Sequence, residues 1–362
     1  MRAVMIGGGV AGCALAAALR ETQGERVILE RRVAGDAAGM GFILMPNGLH
    51  ALQTIAPEHD WFRAGRVLNR VELCRHDGRS ISDVEIDASV CISREVFLRM
   101  LRSACRGVPV LEGAAFSRLV REASGLTRAV ELENGTCIEG DVFFGCDGAN
   151  SKVRRELFPH ARLNRPLVME IVSVARSTAL AARLGNSFRK FHDAEGGFAI
   201  GMLAQSDASV IWFVQFDATR WTLPSADART LSEFVRARIG GWAPEVVEAF
   251  LATNFADSHL WPTRDLPPLA QLAQENLALL GDAAHACLPF TSQGANGALV
   301  DAVCLREVLQ TARDERDVRV ALARYSELRR PHHAHMFREG QRLRAAFLAP
   351  LHRGELAIPL VA

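Results

Sequence analysis

A chain of 362 residues is long enough to bury a sizeable core and to carry two domains. With 42 Lys and Arg against 41 Asp and Glu, a formal net charge of +1 gives no reason to expect nucleic acid or a strongly charged membrane surface as a partner. No stretch approaches the roughly 20 uninterrupted apolar residues of a membrane span, and Met1 leads straight into a strand with no room for a signal peptide, so a cytoplasmic location is expected.

The first thirty residues organise the rest. Ala3-Val4-Met5-Ile6 reads as a short buried strand, Gly7-Gly8-Gly9-Val10-Ala11-Gly12 follows at once, and Cys13 to Leu19 suits a helix of small apolar residues. Val27-Ile28-Leu29 is a second strand with Glu30 at its carboxyl end. This is the order of a dinucleotide-binding βαβ unit. Gly7 allows the tight turn, Gly9 lets a pyrophosphate approach the backbone, and Gly12 lets the helix lie close on the sheet. The helix N-terminus offers free N–H groups and partial positive charge to phosphates. Glu30 can accept from ribose hydroxyls. The ligand contains ADP, and these residues alone leave NAD and FAD open.

Residues 33–50 are dense in glycine (Gly35, Gly39, Gly41) and read as a loop, either one passing close to a ligand or a flexible surface loop, which composition alone does not separate. Arg66 to Ile86 reads as a β-hairpin turning at His76-Asp77-Gly78. Ser93 is the expected N-cap of a helix beginning at Arg94, with Val96, Phe97, Met100 and Leu101 as its apolar stripe. Strands follow at 108–111, 117–122 and 129–132, the last turning at Asn134-Gly135 into Cys137-Ile138-Glu139. Asp141 to Gly145 is another buried strand, ending in Cys146-Asp147-Gly148 ahead of a helix capped by Asn150 or Ser151. Residues 166–217 alternate in a β manner, and Trp212, Phe213 and Phe216 there suit either a core or an apolar pocket. Helices are expected over 231–239 and 245–251. Leu277 to Leu280 is a third buried strand, running into Gly281-Asp282-Ala283-Ala284-His285, Pro289 and Gln293-Gly294-Ala295-Asn296-Gly297. A helix over 298–309 and an arginine-rich helical region over 313–347 complete the chain.

Eight scattered cysteines without a Cys-x-x-Cys pair argue for free thiols, and neither a disulfide framework nor a metal site is expected. There is no second Gly-x-Gly-x-x-Gly, which disfavours a reductase with its own nicotinamide domain.

Taken together, the three separated glycine motifs resemble the single-component flavin-dependent aromatic hydroxylases, the group A flavoprotein monooxygenases of the p-hydroxybenzoate and salicylate hydroxylase type. The first motif is Gly7, Gly9, Gly12 and Glu30; the second is Asp147, Gly148, Ser151 and Arg154. The third is Gly281, Asp282, Ala283, Ala284, His285, Pro289, Gln293, Gly294, Asn296 and Asp301. Arg94 matches the arginine that opens the helix before the middle strands, and Tyr325, Arg329, Arg330 and Pro331 match the C-terminal helix signature. Ser292 departs from the pattern, which commonly has glycine there.

The resemblance implies an α/β fold: a Rossmann-like FAD-binding domain with a mostly parallel sheet in three layers, interleaved with a β-rich antiparallel-sheet substrate domain, and a helical C-terminus. The expected division assigns 1–65, 90–165 and 271–345 to the FAD-binding domain, 66–89 and 166–270 to the substrate domain, and 346–362 to a tail. It implies non-covalent FAD held by Gly7, Gly9, Ala11, Gly12, Glu30, Arg31, Arg94, Asp147, Arg154, Gly281, Asp282, Pro289, Gly294, Ala295 and Asn296. It also implies NADH or NADPH and O2 as co-substrates, and a flavin C4a-hydroperoxide that hydroxylates, or epoxidises, a small aromatic or other apolar organic molecule. The alternatives are an FAD-dependent dehydrogenase on the same scaffold and a non-catalytic flavin-binding accessory protein. A monomer or homodimer is expected. Because Tyr325 is the only tyrosine and falls in the C-terminal signature, a phenolic substrate cannot depend on a tyrosine base. The base is then a histidine, a carboxylate or water; His50 and His192 are the histidines to consider first, and a histidine base near its ordinary pKa gives a rate rising through about pH 6.5.

Overall fold

The computed structural model describes residues 1–22, 24–33 and 40–351. The first strand, Arg2–Ile6, is an apolar run because it is covered on both faces; Val4 lies between Phe143 and Val27, and Met5 between Phe144 and Ile28. Around it stands a six-stranded sheet in the order 273–274, 277–279, 142–145, 2–6, 25–30, 110–112. Every pairing but that of the first two strands is parallel. The helix Val10–Ala18 is small and apolar all round, and all its residues but Val10 are buried. It packs on the helix Gln293–Leu309, which in turn packs on the long C-terminal helix Glu315–Leu348. A three-stranded sheet over 116–139 shares this core.

The second body is an eight-stranded sheet in the order 259–262, 168–175, 209–217, 198–206, 187–192, 66–75, 80–93, 41–44. Helices Thr178–Leu184, Ala228–Arg236 and Pro244–Leu251 cover one face, and Trp212 and Phe216 are fully buried beneath them; both are core. Phe213 points to the other face.

Three expectations change. The sheet is mixed rather than antiparallel, because Ser187–His192 runs parallel to Arg66–Arg75. The return strand of the hairpin continues to Ser93, where it pairs with Gly41–Leu44. Residues 41–44 are therefore a strand, and Pro46–Ile55 is a helix with proline in its first turn; neither is loop. Gly35 and Gly39 lie outside the described residues, as does the tail beyond residue 351.

Candidate active site

The glycine loop shows three different constraints. Gly7 ends its strand at φ +119°, and a Cβ there would stand 2.4 Å from the Cys146 carbonyl oxygen. A Cβ on Gly12 would stand 1.9 Å from the Gly7 carbonyl oxygen. These two glycines bring protein to protein. Gly9 is the opposite case, because a Cβ there meets nothing within 4 Å. Gly9 is also the N-cap of the first helix, with no side chain capping it. Its backbone faces a cleft of about 1580 Å³.

The cleft is lined by Gly7, Gly8, Gly9, Glu30, Arg31, Arg32, Arg94, Asp147 and Gly148 on one side, and it reaches Val174, Arg176, Gln205 and Asn254 of the large sheet. Glu30 accepts from the Gly8 amide at 2.8 Å and the Arg32 amide at 2.9 Å, which fixes its carboxylate at the strand end. Ser93 caps the next helix by accepting from the Val96 amide at 3.1 Å. That cap aims Arg94 into the cleft. Burial lowers the pKa of its guanidinium and Asp282 opposes the shift, and among the described residues the side chain makes no hydrogen bond or ion pair. Asp147 accepts from the Lys152 and Val153 amides through Oδ2, while its Oδ1 is buried without a partner.

Several expected ligands lie behind the cleft and act as struts. Arg154 is buried and donates to the carbonyls of Ala149, Asp282 and Ala283, so it ties the second motif to the third instead of facing the cleft. Asn296 is also fully buried: its Oδ1 accepts from the Met45 amide at 3.0 Å, and its Nδ2 donates to the carbonyls of Ile43 and Ser292. Its side chain is therefore spent on protein. A Cβ on Gly48 would stand 1.9 Å from that Oδ1, so the helix at 46–55 sits on the strut itself. Gly281, at φ +60°, packs against Ala11 and Ala298. Asp282 and Pro289 are exposed, Gly294 lies beside Asp282, and Ala295 is half-buried in the same first turn.

Behind Gly281 lies a hub that sequence reasoning recorded only as part of a motif. Asp301 is fully buried and accepts four hydrogen bonds, from the Gly281 amide (3.0 Å), His285 Nε2 (2.7 Å), Arg329 Nε (2.7 Å) and His333 Nε2 (3.1 Å). Burial alone would raise its pKa, but the two histidines and Arg329 outweigh that and hold it well below the carboxylate range. His285, Asp301 and His333 could hold a metal ion by proximity. The carboxylate is already saturated, however, and a cation would have to displace a guanidinium.

His50 is exposed on its helix and does not line the cleft. His192 is buried with Nε2 unpartnered; burial, then Lys190, pulls its pKa well below 6.5, so a rise through pH 6.5 is not expected from it. Tyr325 is fully buried, and its hydroxyl donates to the Leu279 carbonyl at 3.0 Å, away from the cleft. Sequence reasoning missed Arg102. Arg94, Leu98 and Arg102 stand four residues apart on one helix and all line the cleft, so helical spacing alone could have found it.

A family model described as an FAD binding domain matches residues 1–339. The chain belongs to that family. It is 28% identical to 3-amino-4-hydroxybenzoate 2-monooxygenase of Streptomyces platensis over 91% of this chain and 84% of that protein. It is 26% identical to 6-methylsalicylate 1-monooxygenase of Aspergillus terreus over 90% of this chain and 78% of that one. The fold matches that of Klebsiella pneumoniae HpxO complexed with FAD and uric acid (TM-score 0.82, 21% identity, 94% of this chain and 87% of that one). The protein is an FAD-dependent monooxygenase, an oxidoreductase that takes NAD(P)H and O2 as co-substrates. Among the described residues no helix is long and apolar enough to cross a membrane.

The residues present fit FAD. The uncapped helix start behind Gly9 offers amides to phosphate, and Arg94 is an unpaired cation in the cleft.

Proposed function

We propose that the chain hydroxylates a small aromatic molecule, with FAD lying along the cleft from Gly9 and Glu30 past Arg94 toward the large sheet. The unpaired Arg94 guanidinium in a cleft floored by Gly9 is the observation that carries this placement. In this reading the backbone at Gly7 to Gly9 and the helix start hold the pyrophosphate, and Arg94 donates to phosphate oxygens. Glu30 accepts from ribose hydroxyls, Asp282 accepts from further hydroxyls of the cofactor, and Asp147 shapes the cleft wall by holding the Lys152 and Val153 amides. Gly294 and Ala295 offer first-turn amides to the flavin, with Pro289 beside the ring. Arg31 lies at the rim, while Arg154, Asn296, Gly281, Gly12 and Ala11 position these groups from behind. Bound FAD supplies the electron transfer from NAD(P)H to O2. Per turnover one oxygen atom enters the substrate and the other leaves as water, with NAD(P)H oxidised and one proton consumed. The large sheet with its covering helices forms the substrate part, the two bodies meeting across the strand at 41–44. A cytoplasmic monomer or homodimer is the setting proposed.

The test is cofactor binding and coupling. Gly9→Val has room in the fold, so it should stay folded and lose FAD, and Arg94→Ala should raise the FAD dissociation constant about 10- to 100-fold. Unchanged FAD affinity in both variants would refute the placement. NAD(P)H consumption that yields only hydrogen peroxide across an aromatic panel would favour the dehydrogenase alternative.

A further inference from the structure

Two thiols lie one layer behind the cleft, on helices that help to wall it. The helix Val10–Ala18 begins at the glycine loop, and the helix Arg94–Ala104 carries Arg94, Leu98 and Arg102 into the cleft; the two pack on one another. Cys13 stands near the start of the first, and Cys105 is the C-cap of the second. Cys105 Sγ lies 3.1 Å from the Cys13 carbonyl oxygen and 3.3 Å from that of Leu101. The Cys13 thiol donates to the Gly8 carbonyl at 3.3 Å. The two thiols are also in hydrogen-bonding contact with each other, and Arg102 reaches Cys13 from the cleft side.

This pair differs from the other cysteines, all of which are free. Burial pushes the thiols of Cys74 and Cys304 up to about 11, those of Cys91 and Cys287 up to about 12, and that of Cys146 well above the ordinary range. Cys13 moves the other way. The hydrogen bond from Cys105 lowers its pKa, burial opposes the shift, and the Arg102 charge adds to it. The Cys105 thiol is raised, by its bond to Cys13 and then by burial. The thiolate is the nucleophile of thiol chemistry, and a neighbouring cation marks the reactive sulfurs. A thiol that keeps its proton and touches that sulfur is placed to resolve the oxidised product. Gly8 and Arg102 both line the cleft, so hydrogen peroxide, hardly larger than water, has one layer of protein to cross to reach Cys13.

We propose that Cys13 and Cys105 are an oxidation site that hydrogen peroxide closes to a disulfide between the two helices. Peroxide is what NAD(P)H and O2 yield when no substrate is hydroxylated, so the oxidant comes from unproductive turnover of this enzyme. The Cys13 sulfur attacks one peroxide oxygen, the O–O bond breaks, and the hydroxide released leaves as water with the Cys13 thiol proton. Cys13 is then a sulfenic acid. The Cys105 sulfur attacks the Cys13 sulfur; the S–S bond forms, the S–O bond breaks, and the hydroxyl leaves as water with the Cys105 proton. The two thiols give up two electrons, and one peroxide becomes two waters. Closure takes away the donor that the Gly8 carbonyl holds in the reduced protein and the thiol that Arg102 faces. Disulfides of reducing compartments are mostly transient and redox-sensing, which is the role such a pair would play.

The experiment exposes the holoenzyme to a small molar excess of hydrogen peroxide, without NAD(P)H. Remaining thiols are alkylated in denaturant, and the protein is digested with trypsin without reduction. Cleavage at arginine isolates Cys13 in residues 3–20 and Cys105 in residues 103–106. The disulfide should appear as those two peptides joined, two hydrogens lighter than the pair, and should vanish with dithiothreitol. Cys105→Ser should stop at the sulfenic acid, trapped on Cys13 by dimedone, and Cys13→Ser should leave Cys105 alkylated. FAD content reports whether each variant is folded, and the wild-type digest decides alone if one is not. The proposal is overturned if Cys13 and Cys105 are still alkylated at a dose that fully oxidises the exposed Cys137. It is equally overturned if Cys13 joins another cysteine, if it passes to sulfinic acid without the crosslink, if folded Cys105→Ser gives no adduct on Cys13, or if Cys105 is oxidised in folded Cys13→Ser. Peroxide is added rather than generated, so an error in the placement of the flavin would leave this result untouched.

Discussion

Replacing Asp301 by Asn tests the hub behind the third motif. The substitution keeps the shape and removes the charge. Asn offers one carbonyl oxygen where the carboxylate offered two, so it cannot accept from the Gly281 amide, His285, Arg329 and His333 together. At least one buried donor is orphaned, and the guanidinium of Arg329, whose Nη2 already lacks a partner, loses its counter-charge. Breaking a buried pair from one side costs about 3–5 kcal/mol, a large share of the roughly 5–15 kcal/mol that holds a domain together. The assay is urea unfolding of the holoenzyme by tryptophan fluorescence, with FAD release followed in parallel. Asp301→Asn should lose that amount, and the double variant with Arg329→Met should recover more than about 1 kcal/mol of it through the coupling term. A loss below about 1 kcal/mol would refute the reasoning.

Ser292 stands at φ +53°, the left-handed region that glycine occupies without cost; Ser292→Gly should stabilise by roughly 0.5–1 kcal/mol, and a loss in the urea midpoint would count against this. Tyr325→Phe removes one buried hydrogen bond to Leu279 and should cost about 1 kcal/mol, leaving single-turnover hydroxylation unchanged; collapse of hydroxylation with FAD retained would overturn that. His333, lowered to about 3 by burial and then by His285, and His332, lowered to about 4 by burial and then by Arg329, are neutral in the folded protein at pH values where the unfolded chain protonates them. Their contribution to stability is complete above about 6.5 and declines as pH falls, by up to about 1.4 kcal/mol per pH unit for each group. Urea midpoints between pH 7 and 5 should fall accordingly, and His333→Asn should flatten the slope.

What could be read from the sequence was local. The βαβ unit declares itself because an apolar run, a glycine turn and a small-residue helix are contiguous, and Ser93 caps its helix with an amide three residues on. The pairing of Gly41–Leu44 with Val90–Ser93 is not local, and glycine density there resembles a loop until the partner strand is known. The parallel pairing of Ser187–His192 with Arg66–Arg75 is equally remote. Motif matching also named Arg154 and Asn296 without saying which way they face. Both meet carbonyls far away in the chain, and no periodicity encodes that. The position of Ser292 is the converse: its departure from the family glycine marks a backbone angle that only the fold makes visible.

The central sheet has a timing problem built into its strand order. Strand Val142–Gly145 takes its outer neighbour from Leu277–Leu279, about 130 residues later. At a synthesis rate of about 5–20 residues per second, the ribosome needs roughly 7–26 seconds to deliver that neighbour. Throughout that interval one side of a wholly apolar strand has no hydrogen-bonding partner, while the segments of the large sheet emerge beside it. Nascent chains halted between residues 150 and 270 should therefore engage chaperones or aggregate, and release should come only after the strand at 277–279 has cleared the exit tunnel.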